Sequence, residues 1–421
     1  MVLAAAFLAG CQHQQADRIT DAADYEAYLG QAPTTGSKYF ELWNGKIRPD
    51  SMQLSSFSAV AGEYARYFAR TGQIGYLKKA EQALDRGLEI AAIGKAGFYR
   101  SLARNYISQH RFSEALELAQ QASRMGSGRR ANDGLLFDLY MELGQPDSAR
   151  VHLEALEDMG RLDYLIRLSK WRDHEGDLEG AIANLKIATR KAEASNDPGL
   201  ILWCYTNLAD YYGHAGRLDQ SYAYYLKALE VDPTDAYAKK GIAWIVYSHE
   251  RRPEEALRIL EEVSTYYQSP DLWLLMEEIA GALPDPKRQY GYLDRALSLM
   301  EDPGYGEMYN THRVLLLLDK TGQMEEAVAL ARREAERRPT AATMGLLAYA
   351  YYRNGYTDKA LALVRRHVEG KTYEPQPLLY AAEVYRSAGM TARARHLGNE
   401  IKDAVYELGP TAEPRINALA M

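Results

Sequence analysis

The residues of this chain that could do chemistry are few and scattered. His174 and His214 each have an aspartate nearby, Asp173 and Asp210. A metal centre needs three or four convergent ligands, so these histidines read as exposed groups at the ends of helices. Gly126-Ser127-Gly128-Arg129-Arg130 has the glycines and cations of a phosphate cradle. Such a cradle follows a strand and opens a helix, whereas this segment lies between two helix-like stretches and reads as a connecting loop. Cys204 sits in an apolar helical run beside Tyr205, where a thiol acts as a small packing group. The sequence contains no G-x-x-x-x-G-K-S/T loop, no H-E-x-x-H, no G-x-S-x-G and no paired C-x-x-C. No catalytic residue, metal or cofactor is expected, and the chain reads as non-enzymatic.

The elements that would position any binding group are helices in a regular rhythm. After a break at Pro49-Asp50-Ser51, Leu54, Phe57, Ala61, Tyr64 and Phe68 fall three and four residues apart, one apolar stripe of a helix. Asp50 or Ser51 is the expected N-cap, and Thr71-Gly72 the end. Turns then recur at Gly72, His110, Gly144, Gly176, Gly216, near Arg251, near Pro284, and at Gly322, Gly355 and Gly389. Glycine suits these places because a left-handed residue commonly closes a helix. After each turn comes a small residue, at Ala115, Ala149, Ala181, Ser221, Ala256, Ala327, Ala360 and Ala394, where two helices must approach closely. Pro284-Asp285-Pro286 replaces the glycine turn in one unit, and Glu193 to Gly199 lengthens another connection. A bend, a loop or longer helices are expected there.

One unit is especially regular, with Tyr205, Leu208, Ala209, Tyr212, Gly216, Leu218, Ser221, Tyr225, Ala228, Leu229 and Pro233 in register. This spacing resembles the tetratricopeptide repeat, a helix–turn–helix unit of about 34 residues. The likeness covers roughly residues 55–409. It implies an all-α, right-handed superhelical solenoid of about ten antiparallel hairpins, each packed on its neighbours. It also implies a concave groove lined by the first helix of each pair. Carried onto this register, the family's ligand-facing positions are Arg66, Arg70, Arg100 and Arg104 at the N-terminal end. In the middle they are Asp138, Glu142, Lys170, Asp173, Asp210 and His214, and at the C-terminal end Tyr349, Tyr352, Arg353, Glu383 and Arg386. If the four arginines converge they form an anion-binding patch, since guanidinium forks pair with carboxylate or phosphate. The alternative is solvated arginines paired locally with acids such as Glu63.

The N-terminus carries a second resemblance. Val2 to Leu8 is apolar and leads into Leu8-Ala9-Gly10-Cys11, which is similar to the lipobox of bacterial lipoproteins. It implies lipidation at Cys11 after removal of residues 1–10, with Gln12 directing the protein to the outer membrane. The leader is short and lacks a basic n-region, as it would if translation began upstream of Met1. Residues 11–54 read as a tether with N-terminal capping helices, one around Asp21–Leu29, residues 55–409 as the solenoid, and residues 410–421 as a flexible polar tail.

A net charge of −7 argues against nucleic acid as the partner, because such domains are usually strongly basic. The 32 tyrosines against 7 phenylalanines suit half-wet helix faces, where an apolar ring carries a polar tip. Together these features predict a lipid-anchored cell-envelope protein whose groove binds a protein or peptide. The competing expectation is an outer-membrane lipoprotein that captures glycans for uptake, which calls for exposed tryptophan platforms. Yet Trp171, Trp203, Trp244 and Trp273 all fall in predicted helices.

Overall fold

The computed structural model describes residues 18–34, 36–47 and 53–420. Asp50, Ser51 and Cys11 lie outside the described residues. The described residues contain helices and turns but no strand.

Two short helices come first, α1 (Ala22–Leu29) and α2 (Lys38–Asn44). Ten antiparallel hairpins follow among the described residues. The first four are α3 (Leu54–Thr71) with α4 (Ile74–Ile90), α5 (Lys95–Ser108) with α6 (Phe112–Arg124), α7 (Arg129–Glu142) with α8 (Pro146–Ala155), and α9 (Leu162–His174) with α10 (Leu178–Ser195). The next three are α11 (Pro198–His214) with α12 (Leu218–Val231), α13 (Ala236–Trp244) with α14 (Pro253–Ser264), and α15 (Pro270–Ala280) with α16 (Pro286–Met300). The last three are α17 (Asn310–Leu316) with α18 (Met324–Arg337), α19 (Ala341–Arg353) with α20 (Thr357–His367), and α21 (Pro375–Ser387) with α22 (Thr391–Glu400). The chain closes with α23 (Val405–Leu408) and α24 (Glu413–Ala420).

The turn chemistry explains why the hairpins form where they do. Gly72, His110, Gly144, Gly176, Gly216, Arg251, Gly322, Gly355 and Gly389 all have φ between 57° and 80°. A left-handed residue ends the first helix and lets the next N–H reach back to a free carbonyl. Gln145 donates to Tyr140 O at 2.8 Å, Arg217 to Tyr212 O at 2.8 Å and Met390 to Tyr385 O at 2.9 Å, each closing a Schellman-type loop. At two turns a π-helical segment, Ile245–His249 or Leu317–Thr321, precedes the turn residue. The closing bond is one residue longer there, from Arg252 to Val246 O and from Gln323 to Leu317 O. The turn near Pro284 has no left-handed residue; Asp285 caps α16 through Arg288 N instead. The lengthened connection at Glu193–Gly199 is absorbed as longer helices, 18 residues in α10 and 17 in α11, parted by Asn196 at φ 54°.

The small residues after each turn lie where expected. Ala115, Ala149, Ala181, Ser221, Ala256, Ala327 and Ala360 are fully buried and Ala394 nearly so. First helices of successive hairpins touch one another, as α5 does α7 and α19 does α21, whereas the second helices are spaced more widely. The odd-numbered helices α3 to α21 therefore form the inner surface.

Successive turns of the superhelix also touch. Gln268 N donates to Thr71 O at 2.6 Å, and Tyr305 OH to Gly72 O at 3.2 Å. Arg338 donates to the Glu142 carbonyl at 3.2 Å and pairs with its carboxylate at 2.7 Å, across 196 residues of sequence. A Cβ on Gly144 would lie 2.7 Å from Pro339 O, and one on Gly176 2.7 Å from the Tyr373 ring. One superhelical turn thus takes about six hairpins, and the end of the second turn rests on the first.

Helix α1 falls where a capping helix is expected, whereas the described residues of 410–421 pack on the array and do not form the flexible tail expected there. Helix α1 packs on α12 and α14, with Tyr25 fully buried and its hydroxyl 2.6 Å from Glu255. The backbone N–H groups of Ile19 and Thr20 donate to the buried Glu250 carboxylate at 2.8 and 2.6 Å. At the other end, Ala412, Ile416 and Leu419 bury one face of the terminal segment, and α24 packs on α21 and α22. Apolar residues three and four apart drive this docking, as in the hairpins themselves.

Candidate functional site

The predicted groove positions lie on the inner helices but separate into distinct groups. Arg66 pairs with Glu63 one turn away, the local pairing that competes with an anion site. Arg70 reaches Asp232, beyond α12, at 3.4 Å. These two arginines are neutralised within the fold.

Arg100 and Arg104 behave differently. Arg100 donates to Ser127 O and Asn132 Oδ1, each at 3.0 Å, and its guanidinium lies against Gly128. The glycine-rich loop thus holds an arginine in place through the Ser127 carbonyl. Arg104, one turn further along α5, has no hydrogen bond or ion pair to its guanidinium among the described residues. Crowding by protein, then repulsion from Arg100 and Arg167, lowers its proton affinity against the attraction of Asp138. Arg167 donates to Asp138 at 2.6 Å and to the Gly134 and Asp163 carbonyls, and Lys170 stands 3.7 Å from Asp138. Arg167 and Lys170 therefore share the Asp138 carboxylate, which also attracts Arg104, while Arg100 lies close enough to repel Arg104. Neither Arg167 nor its role is visible in the repeat register, although its spacing of three from Lys170 on one helix face is a usable signal.

The C-terminal tyrosines are covered by the chain itself. Tyr349 stacks on Tyr380 with ring centroids 4.3 Å apart and is 5% exposed. Arg415 from α24 lies over both rings, at 5.4 and 5.9 Å, and forks onto the Glu383 carboxylate with two bonds of 2.8 Å. Arg353 donates to Tyr349 OH at 2.7 Å and to Asp319 at 2.5 Å. Tyr352 is only partly exposed, and Arg386 donates to Ala418 O at 3.1 Å. Tyr349 and Arg353 therefore work in internal packing, and a ligand on this stretch would have to displace α24.

The middle of the inner surface holds a cavity of about 340 Å3 between α11, α13, α15 and α23. Tyr237, Trp244, Leu275 and Tyr406 form apolar walls, and Asp210, His214 and Glu407 give it polar edges. Asp210 accepts from Tyr225 OH at 2.5 Å and Tyr237 OH at 2.7 Å. Lys240, buried in the same wall, is held by Asp271 at 2.7 Å. That contact keeps the Asp271 carboxyl down at about 2 despite its burial. By contrast burial pushes Asp173, Asp210, Glu374 and Glu407 upward. Among the described residues none of these four has an arginine or lysine in ion-pair range. The Trp244 indole N–H donates to Tyr406 O at 2.9 Å, which fixes α23 across the cavity. Among the described residues no three His, Cys, Asp or Glu groups are placed to hold a metal ion. Cys204 is buried and its thiol is pushed up to about 11, which leaves it unreactive near neutral pH. No helix of the described residues is long and apolar enough to cross a membrane.

The model of the tetratricopeptide repeat family matches residues 204–235, the fifth hairpin. No curated protein matches the chain. Solved structures that resemble it include a tetratricopeptide repeat protein from Parabacteroides merdae ATCC 43184, 17% identical. That likeness covers 62% of this chain and 97% of the other at a TM-score of 0.35. The APC/C hetero-tetramer Cut9–Hcn1 gives 14% identity over 96% and 99% of the two chains at 0.35. Yeast Tom70 gives 13% identity over 87% and 94% at 0.36. The matched segment is one of ten hairpins of the same plan among the described residues, so residues 204–235 form a tetratricopeptide-like unit within an all-helical solenoid.

Proposed function

We propose that this protein is a non-catalytic scaffold of the bacterial cell envelope, lipid-anchored through Cys11, whose inner surface holds a protein or peptide partner. The observation that carries the binding claim is Arg104, a guanidinium without a partner among the described residues, beside Arg100, Arg167 and Lys170 on the inner helices. An uncompensated cation in a concavity favours a carboxylate or phosphate group, which it can grip by two parallel hydrogen bonds. Repeat arrays of this kind present extended concave surfaces and usually act by binding. Anchoring rests on the Leu8-Ala9-Gly10-Cys11 sequence, and placement at the outer membrane on Gln12.

The test is recovery of partners from envelope extracts by the intact protein and by a variant with Arg100→Glu and Arg104→Glu. A partner lost from the variant and retained by a Glu230→Gln control on the outer helix α12 supports the groove. Equal recovery by all three proteins refutes it. Mass spectrometry of the mature N-terminus tests the anchor: a lipid-modified Cys11 is expected, and an unmodified chain containing Cys11 overturns that part.

A further inference from the structure

We infer that the cavity between α11, α13, α15 and α23 receives an organic cation, the ammonium or guanidinium group of a basic side chain. This adds a second subsite, of opposite charge, to the binding surface proposed above and rests on that reading.

The cavity is already formed. Its volume of about 340 Å3 lies within the range of small-ligand sites, about 300–1,000 Å3. Its walls are aromatic: the Tyr237 ring is half exposed to it, with Trp244 and Tyr406 alongside. Aromatic faces attract cations through the ring quadrupole and accept the methylene stem of a lysine or arginine.

The carboxylates supply the sign. Lys240, the lysine of the lining, is taken up by Asp271. That leaves the His214 imidazole as the basic group of the lining beside Asp210 and Glu407, and neither carboxylate has an arginine or lysine in ion-pair range among the described residues. Asp210 is held in place by two tyrosine hydroxyls, which fix its orientation without cancelling its charge. The Glu407 carboxylate accepts no hydrogen bond among the described residues. Behind them Asp173 and Glu374 add to the same negative field, and Glu407 and Glu374 each feel Asp173. Crowded, desolvated carboxylates repel one another, and an entering cation relieves that repulsion. Because no three of these groups converge as metal ligands, the geometry suits a larger, flat or elongated cation over a divalent ion.

The cavity is completed by the chain's own C-terminal segment. Tyr406 packs against Gly213, where a Cβ would lie 2.8 Å from its ring, and α23 brings Glu407 to the rim. Gly241 is equally constrained, since a Cβ there would lie 2.2 Å from Tyr225, the residue that orients Asp210.

The test is isothermal titration of the intact protein with three probes: a blocked lysine tetrapeptide, its norleucine counterpart and spermidine. The lysine peptide is expected to bind at least tenfold more tightly than the norleucine peptide. Asp210→Asn and Glu407→Gln should each weaken it at least fivefold, with circular dichroism and elution volume unchanged. Glu230→Gln should leave the affinity unchanged. Spermidine binding with the same variant pattern supports the same cation site and points to a free amine as its source. Equal binding of lysine and norleucine peptides, binding of none of the three probes, or indifference to both acidic-residue variants overturns the inference. These titrations leave Arg100 and Arg104 untouched, so their failure is separable from failure of partner recovery.

Discussion

Glu278 offers a sharp test of the way the C-terminal segment docks. It lies in the last turn of α15, with Gly409 and Thr411 packed over its carboxyl; Thr411 Oγ donates to it at 3.4 Å. Burial is the main cause that pushes the group up, to about 7 from an ordinary 4.5. Thr411 and Tyr247 pull down and neighbouring Glu277 pushes up. Because the folded form holds its proton to higher pH than the unfolded chain, Glu278 contributes fully below about pH 4.5. That contribution is lost as pH rises through about 7. Each tenfold change in proton affinity corresponds to about 1.4 kcal/mol, so the full difference is about 3 kcal/mol. Partial access of water reduces this to about 1–3 kcal/mol. Glu278→Gln keeps the shape and removes the charge. Urea unfolding of both proteins at pH 4, 6 and 8 should show nearly equal stability at pH 4 and a variant more stable by about 1–3 kcal/mol at pH 8. A constant difference across the three pH values, or a variant less stable at pH 8, would refute the reasoning.

Other expectations follow from packing. Ala360→Leu inserts methylenes where α19 and α20 meet with no space and should cost about 1–3 kcal/mol in urea unfolding. Gly216→Ala has room for its Cβ but retains φ 69°, so it should cost about 1 kcal/mol through backbone strain alone, without changing the cavity. Arg338→Glu places like charges at Glu142 and removes the bond to its carbonyl; small-angle scattering should show a larger radius of gyration, and an unchanged radius would mean that this contact does not hold the two turns together.

Much of the fold is legible in the sequence because its causes are local. A turn needs a left-handed residue, and Gly144 or Gly355 declares one; a close helix crossing needs a small residue, and Ala181 or Ala327 declares that. His110 and Arg251 adopt the same backbone without glycine, and only their place in the rhythm marks them. The contacts between superhelical turns are not legible. They depend on small rotations summed over about six hairpins, so nothing in Glu142 or Arg338 separately announces their meeting. The same limit hides the cavity, whose walls come from residues as far apart as Asp210 and Tyr406. The terminal segment does carry a signal, since Ala412, Ile416 and Leu419 have helical spacing. Its polar residues outweigh that signal and suggest a loose tail, which makes the tyrosine it covers at Tyr349 look like open groove.

The resting of the second superhelical turn on the first has an evolutionary consequence. Repeat arrays commonly gain or lose a unit by duplication or deletion, because each unit answers only to the one before and the one after. Here Glu142 must find Arg338, Gly144 must find Pro339, and Gly176 must find Tyr373, all at nearly the same separation. Adding or removing one hairpin between them would move every such pair out of phase by a whole unit. The number of hairpins between these partners is thereby locked, and this array should vary by substitution within its units, not by changing how many it has.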